Sequence, residues 1–465
     1  MRLLHDVSAV RAVFDDPSLV SCAGLVPVMR LAQDVGLHGL VGEAVRLSGS
    51  IGSNPAGKVA AIVAGMIAGA DSIGDLDVVR HGGMKGLFGG VYASSTLGSF
   101  LRQFTFGHVR QVELVSHRLL ARLVGRVPLL LPDTDAVTFV DVDSVLRRVY
   151  GKAKQGAGFG HAKVGGYQVR LRGLNPLVAT ISTAGSAPLV AATQMRAGNA
   201  GSARGAARLV ATAVRDARAV HPNATIVMRA DSAFYSRKVI AAAISNGARF
   251  SVTVRMDKKV KTAIAAISQD AWVAIKYPKA VWDEDEQRWI SDAQIAETSY
   301  TAFAGKRAVS ARLIVRRVGR LDPKAQTGQE ELFPTWRHHA VFTDSGHPLV
   351  QAECEHRGHA VVEQVFADLI NGPLAHLPSG SFAANGAWLS LAGIAHNLTR
   401  AAGALAGGAM STARSATIRR RIVNVAAKIV RHARTLTLRL PARWPWQREW
   451  RQLFANTHAP PQLNG

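Results

Sequence analysis

The sequence is poor in cysteine and in long apolar segments. Its 465 residues include two cysteines, Cys22 and Cys354, which excludes a disulfide framework and a zinc site built from cysteines. The longest apolar stretch, VAAIVAGMIAGA at 59–70, is shorter than the about 18 residues that span a bilayer. The first residues lack the basic, apolar and small-residue succession of a secretory signal. We therefore expect a cytoplasmic, nucleoid-associated chain with no membrane partner.

Acidic residues are also scarce, and they are unevenly placed. The chain has 32 Asp and Glu residues against 56 Lys and Arg residues, which gives a formal net charge of +24. No acid lies between Asp143 and Asp216, or between Asp368 and Glu449. A globular chain this basic typically meets a polyanion, and general solubility would scatter the charge. The composition favours a protein that binds nucleic acid, and we expect no small-molecule substrate.

The order of apolar patterns predicts an α/β chain of several parts. Residues 1–130 carry apolar residues at helical spacing and predict a helical DNA-binding domain, with a packing or dimerisation domain as the alternative. Residues 135–258 predict three strands, a helix, a strand, a helix and a strand, the order of a ribonuclease H-like mixed sheet. Residues 259–345 predict a β-rich insertion, and residues 346–405 a helical second part of the core. Residues 406–465 predict a basic helical C-terminal tail.

Three aspartates mark the carboxyl ends of two predicted strands. FVDVDSV, residues 139–145, places Asp141 and Asp143 on one face of a strand, where two carboxylates repel unless a cation or a proton relieves them. Asp231 ends another apolar strand and, like Asp143, is followed by Ser. Carboxyl ends of neighbouring strands open on one crevice, so Asp143 and Asp231 can share a cation. Mg²⁺ suits such a site because it needs few protein carboxylates beside water and phosphate oxygens.

A third acid, which a two-metal site requires, comes from the helical segment HRGHAVVEQVFADLI. Glu363 lies beside the apolar stripe of this helix and can face the sheet edge, whereas Asp368 points in a different direction. A solvated or helix-capping carboxylate explains each acid taken alone. Their joint placement favours a metal-dependent phosphoryl-transfer site.

These features resemble the Asp-Asp-Glu transposases of bacterial insertion sequences. The chain is most similar to the 1380 family, through DVDSVLRRVYGKAKQGAGFG, RADSAFY, WDEDEQRWISDAQIAE and HRGHAVVEQ, over about residues 135–400. The resemblance implies a DNA transposase that binds terminal inverted repeats, cleaves DNA with two Mg²⁺ ions, and joins the freed 3′-hydroxyl to target DNA. Mn²⁺ is a possible substitute, and a homodimer is expected in the synaptic complex. Asp143, Asp231 and Glu363 are then the catalytic and metal-binding residues.

The resemblance leaves two assignments open. Asp143 is preferred to Asp141 because relatives place a hydroxyl residue directly after their first Asp, as Ser144 is here. Asp141 is then a support for the site, or the ligand itself if the register is shifted by one pair. The superfamily's Tyr-x2-Arg-x3-Glu-x6-Lys signature is incomplete, and Arg357 is the candidate for its phosphate-facing Arg.

Contacts with DNA are expected from aromatic and basic side chains. Trp336 matches the tryptophan that stacks on a flipped base in relatives, with a core tryptophan as the alternative. GKAKQGAGFGHAKVGG lacks the Gly-Lys-Ser/Thr ending of a nucleotide-binding loop and predicts a flexible basic hairpin near the site. The residues expected to contact the DNA backbone without reading its sequence are Lys152, Lys154, Lys163, Arg419, Arg420 and Arg421.

Two other functions stay open at this point. The first is a ribonuclease H-like nuclease that never integrates its product, which a strand-transfer assay separates from a transposase. The second is a catalytically inactive DNA-binding protein, which metal-dependent nicking of any DNA would exclude.

Overall fold

The structure, a computed structural model, describes residues 4, 7–132, 137–164, 167–276, 281–284, 288–290, 293–319 and 336–458. Within these ranges no helix is both long enough and apolar enough to cross a membrane. The described chain combines a helical N-terminal region, a large mixed sheet with helices packed against it, and a C-terminal region that contains both helix and strand.

The N-terminal region is mainly helical. A short strand, β1, spans Leu19–Val20, and the helices are α1 (Leu25–Asp34), α2 (Leu37–Ala44), α3 (Gly49–Gly52), α4 (Pro55–Ala68), α5 (Met84–Leu87), α6 (Ser94–Arg102) and α7 (Phe106–Arg126). The sequence starts α4 with two local signals. The Asn54 side chain accepts a hydrogen bond from the Gly57 amide at 3.1 Å, and Pro55 occupies the first helical position. Helix α4 is buried almost throughout, which suits its run of Ala, Val and Ile.

The strands of the central part follow in chain order. They are β2 (Val137–Ser144), β3 (Arg147–Arg148), β4 (Gly158–Val164), β5 (Tyr167–Leu174), β6 (Leu177–Ser182), β7 (Leu189–Gln194), β8 (Thr225–Ala230), β9 (Arg249–Thr253), β10 (Val273–Ala274), β11 (Val281–Asp283), β12 (Arg288–Ile290), β13 (Ala293–Ala302), β14 (Val309–Gly319) and β15 (Trp336–Thr343). A nine-stranded sheet takes the order β10-β13-β14-β15-β9-β8-β2-β6-β7. Strands β2, β8 and β9 are parallel, and β6 runs antiparallel to β2.

Helices cover this sheet and connect it to the N-terminal region. They are α8 (Ala206–Val220), α9 (Arg237–Ser245), α10 (Lys258–Ala265), α11 (Leu349–Arg357), α12 (Val361–Ile370), α13 (Phe382–Ala406), α14 (Ser415–Ile418) and α15 (Gln447–His458). Helix α13 is buried from Ala384 to Ala406 and packs against α4, α7 and β7. Its small residues allow this close packing, since a Cβ at Gly393 would stand 3.0 Å from a Val190 methyl group. The N-terminal helices and the sheet therefore share one apolar core.

The strand-rich segment expected as an insertion is continuous with the central sheet. Strand β15 pairs antiparallel with β9, with Val341 opposite Thr253, and β13 and β14 extend the sheet from there. Among the strands that the structure describes in this segment, β11 and β12 alone form a separate two-stranded hairpin. The polar turn between them includes residues outside the described ranges.

Two smaller sheets lie beside this framework. Strands β3, β5 and β4 form the first, which contains the hairpin expected from the glycine-rich basic segment. Strands β16 (Ala427–His432) and β17 (Thr435–Arg439) pair with β1 in the second. The prediction of a helical C-terminal tail is wrong for these residues. The segment KIVRHARTLTLR contains two short runs, IV and TLTL, that are rich in β-branched residues, and such residues favour strands.

Candidate active site

Asp143 and Asp231 lie at the carboxyl ends of two neighbouring parallel strands. Strands β2 and β8 pair with Val142 opposite Ala230, so the residues that follow each of them reach the same edge of the sheet. The Asp143 carboxylate accepts a hydrogen bond from the Ser144 amide at 2.6 Å. The Asp231 carboxylate is exposed and accepts from the amide of Ala233 at 2.9 Å, which begins a short 3₁₀ turn. The pairing that apolar patterns suggested is therefore present.

Glu363 lies in the first turn of α12, on the exposed side of that helix. The opposite side packs into the core through Val362, Val365, Phe366 and Leu369. The competing acid, Asp368, is buried and committed elsewhere. Its carboxylate accepts from Arg414 Nε at 2.6 Å and from the Ser415 hydroxyl at 2.9 Å. Asp368 thus joins α12 to the start of α14, which leaves Glu363 as the acid of this helix that is free to face the sheet edge.

Asp143, Asp231 and Glu363, called here the carboxylate cluster, act on one another electrostatically. Burial raises the pKa of Asp143 to about 6, and the negative charges of Asp231 and Glu363 add to that effect, while the Ser144 amide opposes it. In the described part of the chain, no three His, Cys, Asp or Glu side chains stand close enough together to hold a metal ion. The three acids are neighbours in space but not a closed ligand cage. Their carboxylate oxygens are nevertheless the donors that Mg²⁺ and Mn²⁺ prefer, so the residue types fit a divalent ion.

Asp141, two residues before Asp143 on strand β2, is the centre of a buried charged network. Its side chain has no exposed surface, and the guanidinium of Arg229 binds both oxygens, with Nε and Nη2 each at 2.7 Å. The Nδ1 atom of His359 is 2.9 Å from Oδ1. Burial alone would raise the pKa of Asp141, but the charge of Arg229 and the bonds from His359 hold it below its ordinary value. This arrangement supports the interpretation of Asp141 as a support for the site and not as a metal ligand.

Arg229 connects this network to the segment that carries Glu363. Its Nη1 atom donates to the carbonyl oxygen of Glu355 at 2.6 Å, at the end of α11. Its guanidinium also lies 3.8 Å from the ring centre of Phe139. Sequence reasoning missed Arg229, although it stands two residues before Asp231 as Asp141 stands two before Asp143. That shared spacing was the available signal.

The two histidines that precede Glu363 have different environments. His356 is half-buried, and its ring nitrogens each lie 2.9 Å from a hydroxyl, Oγ of Ser251 and Oγ1 of Thr253. Burial, reinforced by neighbouring positive charges, lowers the pKa of His356 to about 3, so it is neutral. Burial would also lower the pKa of His359, but the hydrogen bond and charge of Asp141 raise it. The negative charge of Asp143 also raises the pKa of His359, so His359 is electrostatically coupled to the carboxylate cluster.

Arg357, expected as the phosphate-facing arginine, points to another partner. Its Nε atom donates to Glu353 Oε2 at 2.8 Å, and the second oxygen of Glu353 accepts from Arg316. Glu353 is buried and joins α11 to strand β14 through these two arginines. Arg357 is thus engaged within the fold, whereas His359 contacts Asp141.

The lysines expected to contact DNA differ in how free they are. Lys152 is exposed in the turn before β4. Lys154 is partly buried and donates to the carbonyl oxygen of Leu377, and burial lowers its pKa. Lys163 lies in β4, and its side chain is outside the described part of the structure. Lys154 therefore braces the loop, while Lys152 is available to a ligand.

Trp336, expected to stack on a base, lies at the start of β15 with one ring face covered. The Arg317 guanidinium is 4.5 Å from the Trp336 ring centre and 4.1 Å from that of Trp272, so it is sandwiched between the two rings. A cavity of about 400 Å³ adjoins this stack and is also lined by Lys261 and His338. An aromatic, basic recess therefore exists at Trp336.

The three adjacent arginines of the tail occupy a single turn of π-helix, Arg419–Val423. Arg419 is half-buried, and burial lowers its pKa. Arg420 is exposed, whereas the Arg421 guanidinium lies 4.6 Å from the ring centre of Trp446. Of the three, Arg420 is the one most accessible to DNA.

A family model described as "Transposase DDE domain group 1" matches residues 4–461. No curated protein sequence matches the chain. Among solved structures, the cryo-EM structure of a piggyBac transposase synaptic complex with hairpin DNA covers 88% of this chain and 80% of that chain, with 10% sequence identity and a TM-score of 0.38. A likeness that distant supports no statement about this chain.

Proposed function

The chain belongs to the transposase family with a DDE domain of group 1, and we propose that it is the transposase of a bacterial insertion sequence related to the 1380 family. Membership implies an enzyme of transposition and DNA recombination that cleaves DNA, in a family that generally uses divalent metal ions. We propose that this chain binds the terminal inverted repeats of its element, cuts there, and joins the 3′-hydroxyl to target DNA. It would act as a homodimer in the bacterial cytoplasm.

We infer a ribonuclease H-like core for the enzyme. The strand order β7-β6-β2-β8-β9, with β6 antiparallel to the other four, supports this inference. Helices α8 and α9 connect β7 to β8 and β8 to β9. Such an order brings the first and fourth strands of the core together, and both end in the acids that the proposal requires.

The observation that supports the proposal is the electrostatic influence of two acids from distant parts of the chain on a third. Asp143 and Asp231 end adjacent strands, and the charges of Asp231 and Glu363 both act on Asp143. We propose that these three carboxylates hold Mg²⁺, with Mn²⁺ as a substitute. A bound divalent ion would supply charge stabilisation to the phosphoryl group during hydrolysis and transesterification.

The chain's own residues would do the rest of the work. The Asp141–Arg229–His359 network would hold β2, β8 and the Glu363 segment in register. The exposed side chains of Lys152 and Arg420 would contact the DNA backbone, an interaction independent of sequence. Lys163, whose side chain the structure does not describe, is proposed to do likewise.

We also propose that the recess at Trp336 receives a base displaced from the duplex. Its aromatic lining offers a stacking surface, which offsets the stacking that an extruded base loses. Because Arg317 covers one face of Trp336, a base would use the opposite face. Arg317 would thereby keep the indole in place.

The central experiment replaces Asp231 by Asn. This change keeps the oxygen that caps the Ala233 amide but removes the charge. We expect metal-dependent nicking to fall by about three orders of magnitude, because about 4 kcal/mol of charge stabilisation is lost, while DNA binding persists. Asp257→Asn is the matched control, since Asp257 also caps a helix, through the Val260 amide at 2.9 Å, outside the cluster.

The same assays decide between the alternatives. Wild-type nicking should stop with EDTA and return with Mg²⁺ or Mn²⁺. Nicking without joining of the 3′-hydroxyl would favour a nuclease that does not integrate. Binding without nicking in either metal would leave an inactive DNA-binding protein. Full strand transfer by the Asp231→Asn protein would end the proposal for this site.

A further inference from the structure

The two-stranded ribbon formed by β16 and β17, residues 427–439, projects from the body of the molecule. Every residue from 431 to 437 is exposed, which means that both faces of the ribbon are open at its tip. Its base is fixed in two ways. Lys428 pairs with Leu19 of β1, and Arg431 donates from Nη2 to the carbonyl oxygen of Gly86 at 2.9 Å. The ribbon is thus an anchored projection and not a loose terminus.

The two faces of the ribbon differ in chemistry. Ile429 and Leu438 are cross-strand partners on the inner face, where the Ile429 methyl group would stand 2.5 Å from a Cβ placed on Gly83. Successive residues of a strand point to opposite faces, so the neighbours of this pair point outward. The outward cross-strand pairs are Lys428 with Arg439, Val430 with Thr437 and His432 with Thr435. The outer face is therefore basic and hydroxyl-bearing.

Two arginines of the ribbon are not engaged within the fold. Arg434 is at the tip and Arg439 at the base of the outer face, and both are exposed. Within the described ranges neither guanidinium makes a hydrogen bond or an ion pair, whereas Lys428 pairs with Asp16 at 2.9 Å. The chain has no acid between Asp368 and Glu449 to neutralise them. Their charge is available to an external anion.

We propose that this ribbon contacts duplex DNA, with its outer face toward the major groove and Arg434 and Arg439 on the phosphates. A major groove about 12 Å wide admits a two-stranded ribbon. Threonine hydroxyls suit base edges, and arginines suit phosphate oxygens. The choice of DNA as the partner rests on the proposed function, but the ribbon is a surface separate from the carboxylate cluster. Leu436 is the one large apolar side chain exposed on the described ribbon, at 42%, so an apolar protein partner is less suited to it.

The test measures DNA affinity as a function of salt. The double variant Arg434→Gln with Arg439→Gln would be compared with wild type on a fluorescent duplex of mixed sequence, without metal. Each lost phosphate contact lowers the slope of log K against log salt by about 0.9, so we expect a decrease of about 2. A decrease of about 2 in the slope implies that the double variant binds DNA about a hundredfold more weakly than wild type in about 0.1 M salt.

Two controls separate this surface from general charge. Arg434→Lys with Arg439→Lys keeps both charges and should retain most of the slope. Arg215→Gln with Lys238→Gln removes the same charge from exposed positions of α8 and α9, and it should change the slope by less than half as much. Equal effects of the two Gln pairs would overturn the proposal.

The remaining outcomes distinguish the ribbon from the active site. An unchanged salt slope in the ribbon variant would overturn the proposal. If the molecular mass from sedimentation also changed in that variant, the ribbon would be assigned to a contact between subunits. The ribbon variant should still nick DNA with Mg²⁺ when protein is in excess. If wild type binds DNA through the ribbon but never nicks, the proposed function fails and the ribbon inference stands. If wild type nicks while the slope is unchanged, only the ribbon inference fails.

Discussion

Replacing Arg229 by Met is expected to destabilise the fold more than removing Arg229 and Asp141 together. The Arg229 side chain is 4% exposed and that of Asp141 is 0% exposed, and two contacts of 2.7 Å join them. Arg229→Met keeps much of the aliphatic volume but leaves a buried carboxylate with His359 as its remaining partner. Breaking a buried ion pair in this way costs about 3–5 kcal/mol in the free energy of unfolding. Asp141→Leu should cost a similar amount, because it leaves the guanidinium unpaired.

The double variant, Asp141→Leu with Arg229→Met, no longer buries a charge. Its remaining losses are the bond to the Glu355 carbonyl, the contact with Phe139 and the partner of His359. We expect these to total no more than about 2 kcal/mol. Each single variant is expected to lose about 3 kcal/mol or more of unfolding free energy, and the double variant about 2 kcal/mol. The sum of the single losses therefore exceeds the double loss by at least about 4 kcal/mol, which is the coupling energy of the pair.

Urea unfolding at neutral pH without added metal measures the three free energies. The surface pair Arg312–Glu297 is the reference, with a contact of 2.6 Å between side chains that are 27% and 39% exposed. Its coupling should be about 0–1 kcal/mol, because solvent screens it. Additive losses for Asp141 and Arg229 would refute the reasoning, since they would show that the network carries no buried charge. We further expect the double variant to lose nicking despite its stability, as the Glu363 segment loses its tie to β8.

Three further predictions concern separate parts of the molecule. Burial lowers the pKa of His396 in the folded protein to about 4, whereas in the unfolded chain it is about 6.5. Between these two values the unfolded chain binds a proton that the folded protein does not. The free energy of unfolding should therefore fall as the pH drops from about 6.5 to about 4. The loss is about 2 kcal/mol at pH 5, measured by urea unfolding and absent in His396→Gln. Gly198→Ala should destabilise the β4–β5 hairpin in protease-sensitivity assays, because its Cβ would stand 2.1 Å from a carbonyl oxygen of β5, whereas Gly201→Ala meets nothing within 4 Å. Trp336→Ala should slow cleavage at transposon ends about tenfold, the value of one stacked base, while Trp282→Ala, at a position 41% exposed, should not.

The parts of the fold that depend on local pattern were predictable from sequence. Strands β2, β6, β7 and β8 follow from short β-branched runs between turns, and α12 follows from its apolar stripe. The partner of Asp141 was not predictable in this way, because Arg229 lies 88 residues away. Only the register of β2 against β8 brings the two side chains together. The interpretation of Asp141 as a support for the site therefore depends on a contact that the sequence does not reveal, and it stays a proposal.

The C-terminal ribbon escaped prediction for a different reason. Its arginines suggested a basic helix, and arginine is a good helix former. The stronger local signal was the β-branched content of the two runs IV and TLTL, at 429–430 and 435–438, which favours strands. The pairing with β1, more than 400 residues earlier, then completes the small sheet. In this segment the β-branched residues were a better guide to the structure than the charge.

Two rows of charged residues lie at this end of the sheet, a lower row of Asp141 with Arg229 and an upper row of Asp143 with Asp231. The balanced charge of the lower row explains how the fold tolerates the unbalanced charge of the upper row. A site that attracts a cation must keep acids uncompensated, and uncompensated acids beside one another oppose folding. In the row of Asp141 and Arg229 the charges cancel within the fold, so this row can be fully buried and can hold two strands and the Glu363 segment in place. In the next row, no arginine of the described residues binds Asp143 or Asp231 in this way. Burial raises the pKa of Asp143, and the negative charges of Asp231 and Glu363 add to that effect. Because Asp231 and Glu363 are exposed, the repulsion stays tolerable without a partner from the protein. The stability of the lower row thus permits the electrostatic strain of the upper one, which is the property that would draw a divalent cation to this edge.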